Sequence, residues 1–343
     1  MKATFSKHTF FFKNPSGTSR GVLVEKHSWF IELSTQNGNA IKGIGECSII
    51  PGLSPDFIDF ESYESKLKEV CDSPDYFLAD LSLLNDFPSI LFGLETAFLD
   101  YKNGGKGIVF NNSFSTGERR IPINGLIWMG DENFMLQQIE QKLSEGYSCL
   151  KMKIGAIDFT TEIKLIEGIR KRFTSSEITL RVDANGAFSP SEALTKLSIL
   201  SDYGIHSIEQ PIQQGQWIEM KRLCKETKLP IALDEELIGV TDNYKKRELL
   251  EEIQPQFIIL KPSLHGGIKG CKEWIELADT FSIPWWITSA LESNIGLSAI
   301  AQFTGEYTNL LPQGLGTGSL YTNNVPSNLR IEKGELYLLN NSF

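Results

Sequence analysis

The chain has 343 residues, with 43 acidic against 33 basic side chains, a formal net charge of -10 and 41% hydrophobic residues. This length and composition suit one large or two ordinary globular domains and exclude a disordered or collagen-like chain. The acidic balance argues against a nucleic-acid partner, because phosphate binding needs a surplus of Lys and Arg. No apolar run reaches the roughly 18–20 residues needed to cross a bilayer, and the apolar stretch near the start is too short for a signal peptide. The five cysteines are far apart and show no CxxC spacing, so neither zinc nor a disulfide framework is expected. A cytoplasmic protein without a membrane partner is the expectation.

In chain order, residues 22–33 and 40–47 read as strands joined by Asn37-Gly38, a dipeptide suited to tight hairpin turns. Helical patterns follow over 55–70 and 88–101, the second ending at Asn103-Gly104-Gly105. The polar, Ser/Asn-rich stretch 111–120 reads as a linker, which divides the chain into an α+β domain over 1–115 and a second domain over 116–328. From Ile121 onward short apolar runs alternate with helical periods. Strands are expected over 121–127, 149–154, 178–182, 206–208, 230–233, 257–260, 285–288 and 309–311. Seven amphipathic segments separate them, with Ser189-Pro190 and Thr241-Asp242 as plausible helix starts. Eight strands and seven helices predict an α/β fold, a (β/α)7β TIM-type barrel, with an N-terminal α+β capping domain. An open nucleotide-binding sheet is disfavoured, because no Gly-x-Gly-x-x-Gly follows the first strand. Residues 329–339 are strand-like and are expected to rejoin the N-terminal domain.

Charged residues close successive strand runs: Lys151 and Lys153, then Asp183, Glu209, Asp234 and Lys261. Each step is about one βα unit, so these groups converge on the barrel rim that carries active sites. Lys151 and Lys153 are two apart on a strand and share a face. Taken singly, each has a plain reading as rim, turn or cap. Together, three carboxylates on three successive strands flanked by lysines need a common cause. Oxygen ligands of this kind suit Mg²⁺, whereas zinc would want His or Cys. A carboxylate-bound cation beside lysines suits proton abstraction next to a substrate carboxylate.

The strings Leu150-Lys151-Met152-Lys153-Ile154-Gly155, Arg181-Val182-Asp183-Ala184-Asn185, Ile208-Glu209-Gln210-Pro211, Leu233-Asp234-Glu235 and Ile259-Leu260-Lys261-Pro262-Ser263 resemble the enolase superfamily, in its muconate-lactonizing-enzyme-like subgroup. Gly45-Glu46-Cys47 running to Pro51-Gly52-Leu53-Ser54 is similar to the lid loop of that family's capping domain. Within the subgroup, Pro122–Gly130, Thr288–Gly296 and Gly314–Gly318 most resemble the o-succinylbenzoate synthase family. Glu236, where Ser or Thr is usual, and Cys47 depart from the pattern. The resemblance implies that Asp183, Glu209 and Asp234 bind Mg²⁺, with Mn²⁺ as a substitute. It implies that Lys153 is the base and the acid for the leaving hydroxide, that Lys261 opposes it across the substrate, and that Lys151 adds positive charge. Asn185 and Glu235 would orient ligands, and Ser289, Ser293 and Gly316 would meet the ends of the substrate.

The implied reaction is a dehydration of the small carboxylate 2-succinyl-6-hydroxy-2,4-cyclohexadiene-1-carboxylate in menaquinone (vitamin K2) biosynthesis. A racemase of N-acylamino acids or a dipeptide epimerase would use the same lysines and metal. An epimerase often carries Asp-x-Asp on the eighth strand, whereas the corresponding 314–318 segment has no acid. A Schiff-base aldolase would leave the three carboxylates without purpose. His265, four residues after Lys261, is the one histidine placed to approach the site. The oligomeric state has no sequence signal.

Overall fold

The computed structural model describes residues 1–18, 21–35, 41–308 and 311–339. The chain opens with three antiparallel strands, β1 (Lys2–Thr18), β2 (Gly21–Ser34) and β3 (Gly43–Ser48). Asn37-Gly38, read above as a turn, lies outside the described residues. Trp29, Ile31 and Leu33 alternate along β2 and share a core with Leu67 and Val70 of α1 (Phe60–Asp72). The same core takes Phe77 of α2 (Pro74–Ala79) and Ile90 and Leu94 of α3 (Pro88–Lys102). Helix α1 starts at Phe60 rather than near Pro55, because Asp59 caps it by accepting the Ser62 N–H at 2.7 Å. Asp56 is instead buried against Ser89, accepting its N–H at 2.9 Å.

The glycines of β3 have a packing role. A Cβ on Gly45 would stand 1.9 Å from the Gly93 carbonyl, and one on Gly93 would stand 2.3 Å from Cys47 Sγ. Bare backbone at both positions lets α3 lie directly on the strand. Gly43–Ser48 is a paired strand with a buried face, largely within the 40–47 run read as a strand, so the segment that resembles a lid loop from Gly45 onward begins inside the sheet.

Two further short strands, β4 (Ile121–Pro122) and β5 (Gly125–Ile127), occupy the run read as the first barrel strand. The chain then runs α4 (Glu132–Ser144), β6 (Cys149–Lys153), α5 (Phe159–Arg170), β7 (Thr179–Asp183), α6 (Pro190–Ser201) and β8 (Ser207–Glu209). It continues with α7 (Trp217–Glu226), β9 (Ile231–Leu233), α8 (Asn243–Ile253), β10 (Phe257–Leu260), α9 (Gly267–Thr280), β11 (Trp285–Ile287) and α10 (Asn294–Thr304). Strands β5 to β11 form a parallel sheet in sequence order. Its two edges meet through parallel bridges, Ile123 with Gln313 and Thr288 with Gly314, which close the barrel. The eighth staves are thus Gln313 and Gly314, slightly later than the expected 309–311, of which Asn309 and Leu310 lie outside the described residues. Ser189 and Asp242 cap α6 and α8 as their sequence contexts predict.

The end of the chain corrects one expectation. Strands β12 (Leu329–Glu332) and β13 (Glu335–Leu338) pair with each other, and β13 pairs with β4 rather than with the N-terminal sheet. The part that returns to β1 comes earlier: the Thr322 N–H donates to the Phe11 carbonyl at 2.9 Å and the Lys13 N–H to the Leu320 carbonyl at 2.8 Å. Two buried carboxylates join the N-terminal unit to the barrel. Glu46 of β3 accepts from the Ser293 and Gly296 N–H groups at the start of α10, each at 2.9 Å. Glu95 of α3 accepts from the Ile268 N–H at 2.7 Å and the Lys269 N–H at 3.1 Å at the start of α9. Each negative charge thus sits where the free N–H groups of a helix end favour it.

Candidate active site

Strand alternation sorts the barrel side chains by chemistry. Leu150, Met152, Leu180, Val182 and Ile208 join the apolar core, while Lys151, Lys153, Asp183 and Glu209 take the alternate positions. Register places Lys153 beside Asp183 and Asp183 beside Glu209. Asp234 follows β9 directly and Lys261 follows β10 directly. The ligand oxygens of Asp183, Glu209 and Asp234 come within 4.8 Å of one another, and all three residues are fully buried.

The lysines hold these carboxylates. Lys151 pairs with Asp183 at 2.9 Å and with Glu209. Lys153 donates to Asp183 Oδ2 at 2.6 Å and to Asn185 Oδ1 at 2.7 Å. Lys261 donates to Asp234 Oδ2 at 2.5 Å. Burial disfavours the charged Asp183, but the ammoniums of Lys151 and Lys153 outweigh it and hold its carboxyl well below the usual range. Burial pushes Glu209 the other way, up to about 8, with Lys151 opposing and the charges of Asp183 and Asp234 adding to the rise. Burial also works against the Lys151 and Lys261 ammoniums, yet their carboxylate neighbours win and raise both.

Three carboxylates and three ammoniums sum to zero, yet the pairing is incomplete. Glu209 Oε1 and Asp234 Oδ1 are buried with no hydrogen-bond partner among the described residues. Buried, unpaired carboxylate oxygens are expensive, and a hard divalent cation bound by all three acids would satisfy them. The donor set fits such an ion.

Backbone geometry supports this arrangement. Asn185 and Gln210 follow the β7 and β8 acids in the left-handed region, with φ of 44° and 35°. Asn185 passes an N–H from its side chain to Glu235 at 2.9 Å, so both residues form a brace behind Lys153. Gln210, assigned no role from sequence, is fully buried and its Oε1 accepts the Asp234 and Glu236 N–H groups, each at 3.2 Å. It fixes the turn that carries Asp234. Glu236, the departure noted above, sits in the same brace, accepting from Gly215 N–H at 2.8 Å. His265 also acts on backbone: its Nδ1 accepts the Lys261 N–H at 2.9 Å, and burial holds its pKa well below the usual imidazole value.

A cavity of about 200 Å³ opens above the acids. Lys151, Lys153, Asn185 and Lys261 line one side. Leu126, Trp128, Ser289, Leu291, Gly316 and Thr317 are also on its lining, and Val22, Leu23, Ile50 and Leu53 come from the N-terminal unit. Two expected residues are not on this lining. Glu235 is engaged with Asn185. Ser293, expected at an end of the substrate, caps α10 and donates its hydroxyl to Glu46 Oε2 at 2.5 Å, so its position serves the join between the two units.

The enolase C-terminal domain-like family matches residues 135–341. An o-succinylbenzoate synthase from Desulfotalea psychrophila is 48% identical over 98% of this chain and 98% of its own length. The crystal structure of MenC from the same organism superposes with a TM-score of 0.83 at 43% identity, covering 98% of this chain and 99% of that one. An L-Ala-D/L-Glu epimerase from Bacillus subtilis is 30% identical over 51% of this chain and 48% of its own. A dipeptide epimerase from Enterococcus faecalis, crystallised with Mg and a dipeptide, shares the fold with a TM-score of 0.85 at 20% identity, over 98% of this chain and 96% of that one. The chain belongs to the o-succinylbenzoate synthase family of the enolase superfamily.

Proposed function

We propose that the chain is a Mg²⁺-dependent carbon–oxygen lyase that dehydrates 2-succinyl-6-hydroxy-2,4-cyclohexadiene-1-carboxylate to o-succinylbenzoate, a cytoplasmic step of menaquinone (vitamin K2) biosynthesis. The observation that carries this reading is the pair of lysines, Lys153 and Lys261, on opposite flanks of three buried acids with two unsatisfied oxygens. Asp183, Glu209 and Asp234 would hold the ion, and Mn²⁺ should replace it because it favours the same ligands. Held there, such an ion would offset the negative charge that grows on the substrate carboxylate as the adjacent proton leaves.

The remaining work falls to the chain. Lys153 is the base, and its Nζ takes the ring proton as the C–H bond breaks. The electron pair left on carbon then expels the neighbouring hydroxyl, and Lys153 returns the proton so that water leaves and the ring becomes aromatic. Lys261 keeps positive charge over the other face, and Lys151 adds to it. The N-terminal residues 1–115 serve as a lid that closes the cavity against water, an idea supported by Val22, Leu23, Ile50 and Leu53 on its lining.

An epimerase of the same superfamily is the second reading, favoured by the similarity to the Bacillus subtilis enzyme. Against it, among the described residues no acidic side chain lines the cavity to receive a substrate ammonium. A Schiff-base aldolase is opposed by the ion pair of Lys261 with Asp234, which keeps that amine protonated and poorly nucleophilic. A panel of the cyclohexadiene substrate, N-succinylamino acids and dipeptides, assayed with Mg²⁺, separates these readings. Aromatisation without efficient loss of chirality is the expected outcome, and epimerisation alone would overturn the synthase reading.

A further inference from the structure

Glu292, shortly after β11, is fully buried and stands off the cavity lining. Its Oε1 accepts the Ser263 hydroxyl at 2.5 Å and its Oε2 accepts the Ala290 N–H at 2.7 Å. The two donors belong to the loops after β10 and β11, neighbouring strands that pair in parallel up to Leu260 and Ile287. The first loop carries Lys261. The Leu264 and His265 N–H groups close a turn on the Lys261 carbonyl at 2.8 and 2.9 Å, with Ser263 inside it. The second loop carries Ala290 and Leu291, both on the cavity lining. Leu291 has φ 64°, a left-handed backbone that a branched side chain keeps only where its surroundings hold it. Glu292 holds one side of it through Ala290, and the Tyr321 hydroxyl holds the other by donating to the Leu291 carbonyl at 2.6 Å.

The N-terminal unit meets the same carboxylate. Lys26 of β2 is nearly inaccessible and donates to Ser48 of β3. Burial works against its ammonium, and the charges of Glu46 and Glu292 oppose that effect. Glu46 spends bonds on the start of α10, whereas both Glu292 bonds end on loops of the site. We propose that Glu292 is a positioning residue: through Ser263 it fixes the turn that aims Lys261, and through Ala290 it fixes the Leu291 wall of the cavity. This rests on the synthase reading, in which Lys261 supplies positive charge over one face of the substrate. Such stabilisation depends on geometry set before the reaction begins, so a loosened turn costs rate.

Steady-state dehydration rates of the Mg²⁺-loaded full chain test it, with circular dichroism to measure the folded fraction. Ser263→Ala cuts only the link to the Lys261 turn. It should lower kcat about tenfold, the scale of one hydrogen bond to a charged group, and leave KM within about twofold. Glu292→Ala cuts both links and should also raise KM, because the Leu291 wall loosens. Glu292→Gln can donate to the Ser263 oxygen and accept the Ala290 N–H, so it should recover most of the kcat lost in Glu292→Ala. If Glu292→Ala does not fold, the kcat of Ser263→Ala decides. Activity that falls only in step with the folded fraction would make Glu292 a structural support and overturn the proposal. An unchanged kcat in folded Ser263→Ala would overturn it too, as would a glutamine variant as slow as the alanine one, and each leaves the synthase reading intact. Wild-type protein that does not dehydrate the substrate would overturn the parent reading, and this one with it.

Discussion

Lys153 and Lys261 both donate to acids of the triad, but their proposed tasks differ. Lys153→Ala removes the only acceptor proposed for the ring proton, so turnover should fall by at least the roughly 10²–10⁴-fold that a positioned base supplies. Lys261→Arg keeps charge and cannot act as a base near neutral pH. It should therefore retain more dehydratase activity than Lys261→Ala and lose any racemase activity. Steady-state rates on both substrates check this, and equal dehydratase loss in the two variants would contradict it. Gln210 invites a different experiment. Gln210→Ala strips the acceptor from the Asp234 and Glu236 N–H groups, at about 1–3 kcal/mol for a buried donor left unsatisfied. Lower thermal stability with weaker Mg²⁺ binding is expected, and unchanged metal affinity would detach Gln210 from the ion site.

At this scale the charged residues were legible because one falls at the end of each βα unit, a period visible in a linear chain. Gln210 was not, since a glutamine before Pro211 looks like any loop residue until its amide is seen bridging to the next strand. Ser293 misled for a related reason. Its Ser-rich turn resembles a ligand-binding segment, but its partner Glu46 lies 247 residues away, and no local pattern carries that contact.

Among the elements, α3 and β3 depend on close backbone approach. Gly93→Ala would put a methyl 2.3 Å from Cys47 Sγ and 3.1 Å from the Cys47 backbone. A loss of about 1–3 kcal/mol is expected, read as a lower midpoint in urea. The run 40–47 was legible as a strand, but the sequence does not distinguish a flexible glycine from one required by packing, so the contact of β3 with α3 was not. Helix α3 also carries the pH dependence. Burial pushes the Glu95 carboxyl up to about 7, against the opposing bonds from Ile268 and Lys269. A carboxyl raised in the folded state favours folding most below its unfolded value, near 4.5, and that contribution is lost as pH rises through about 7. Melting temperature should therefore decline between about pH 5 and 7.5, and Glu95→Gln should flatten that decline. An identical slope in the variant would assign the titration to another group.

For the whole molecule, the alternation of strands and helices from Ile121 made the barrel readable, whereas its closure was not. The eighth stave is two bridged residues, Gln313 and Gly314, too short to leave a strand pattern. The return of Leu329–Leu338 to β4 was equally hidden, because an edge strand does not announce its partner. The proposed lid gives a test at this scale: a fragment beginning near Ile121 should lose catalysis even where circular dichroism shows it folded. Wild-type turnover from such a fragment would remove the lid role.

The central claim is that three buried acids hold a divalent cation for a dehydration. Its most direct measurement follows the ultraviolet absorbance of the aromatic product from 2-succinyl-6-hydroxy-2,4-cyclohexadiene-1-carboxylate, first in EDTA and then with Mg²⁺ restored, for wild type and Asp183→Asn. The account predicts no turnover in chelator, full recovery on adding Mg²⁺ to wild type, and a much higher Mg²⁺ requirement in the variant. Undiminished aromatisation by wild-type protein stripped of metal would contradict it.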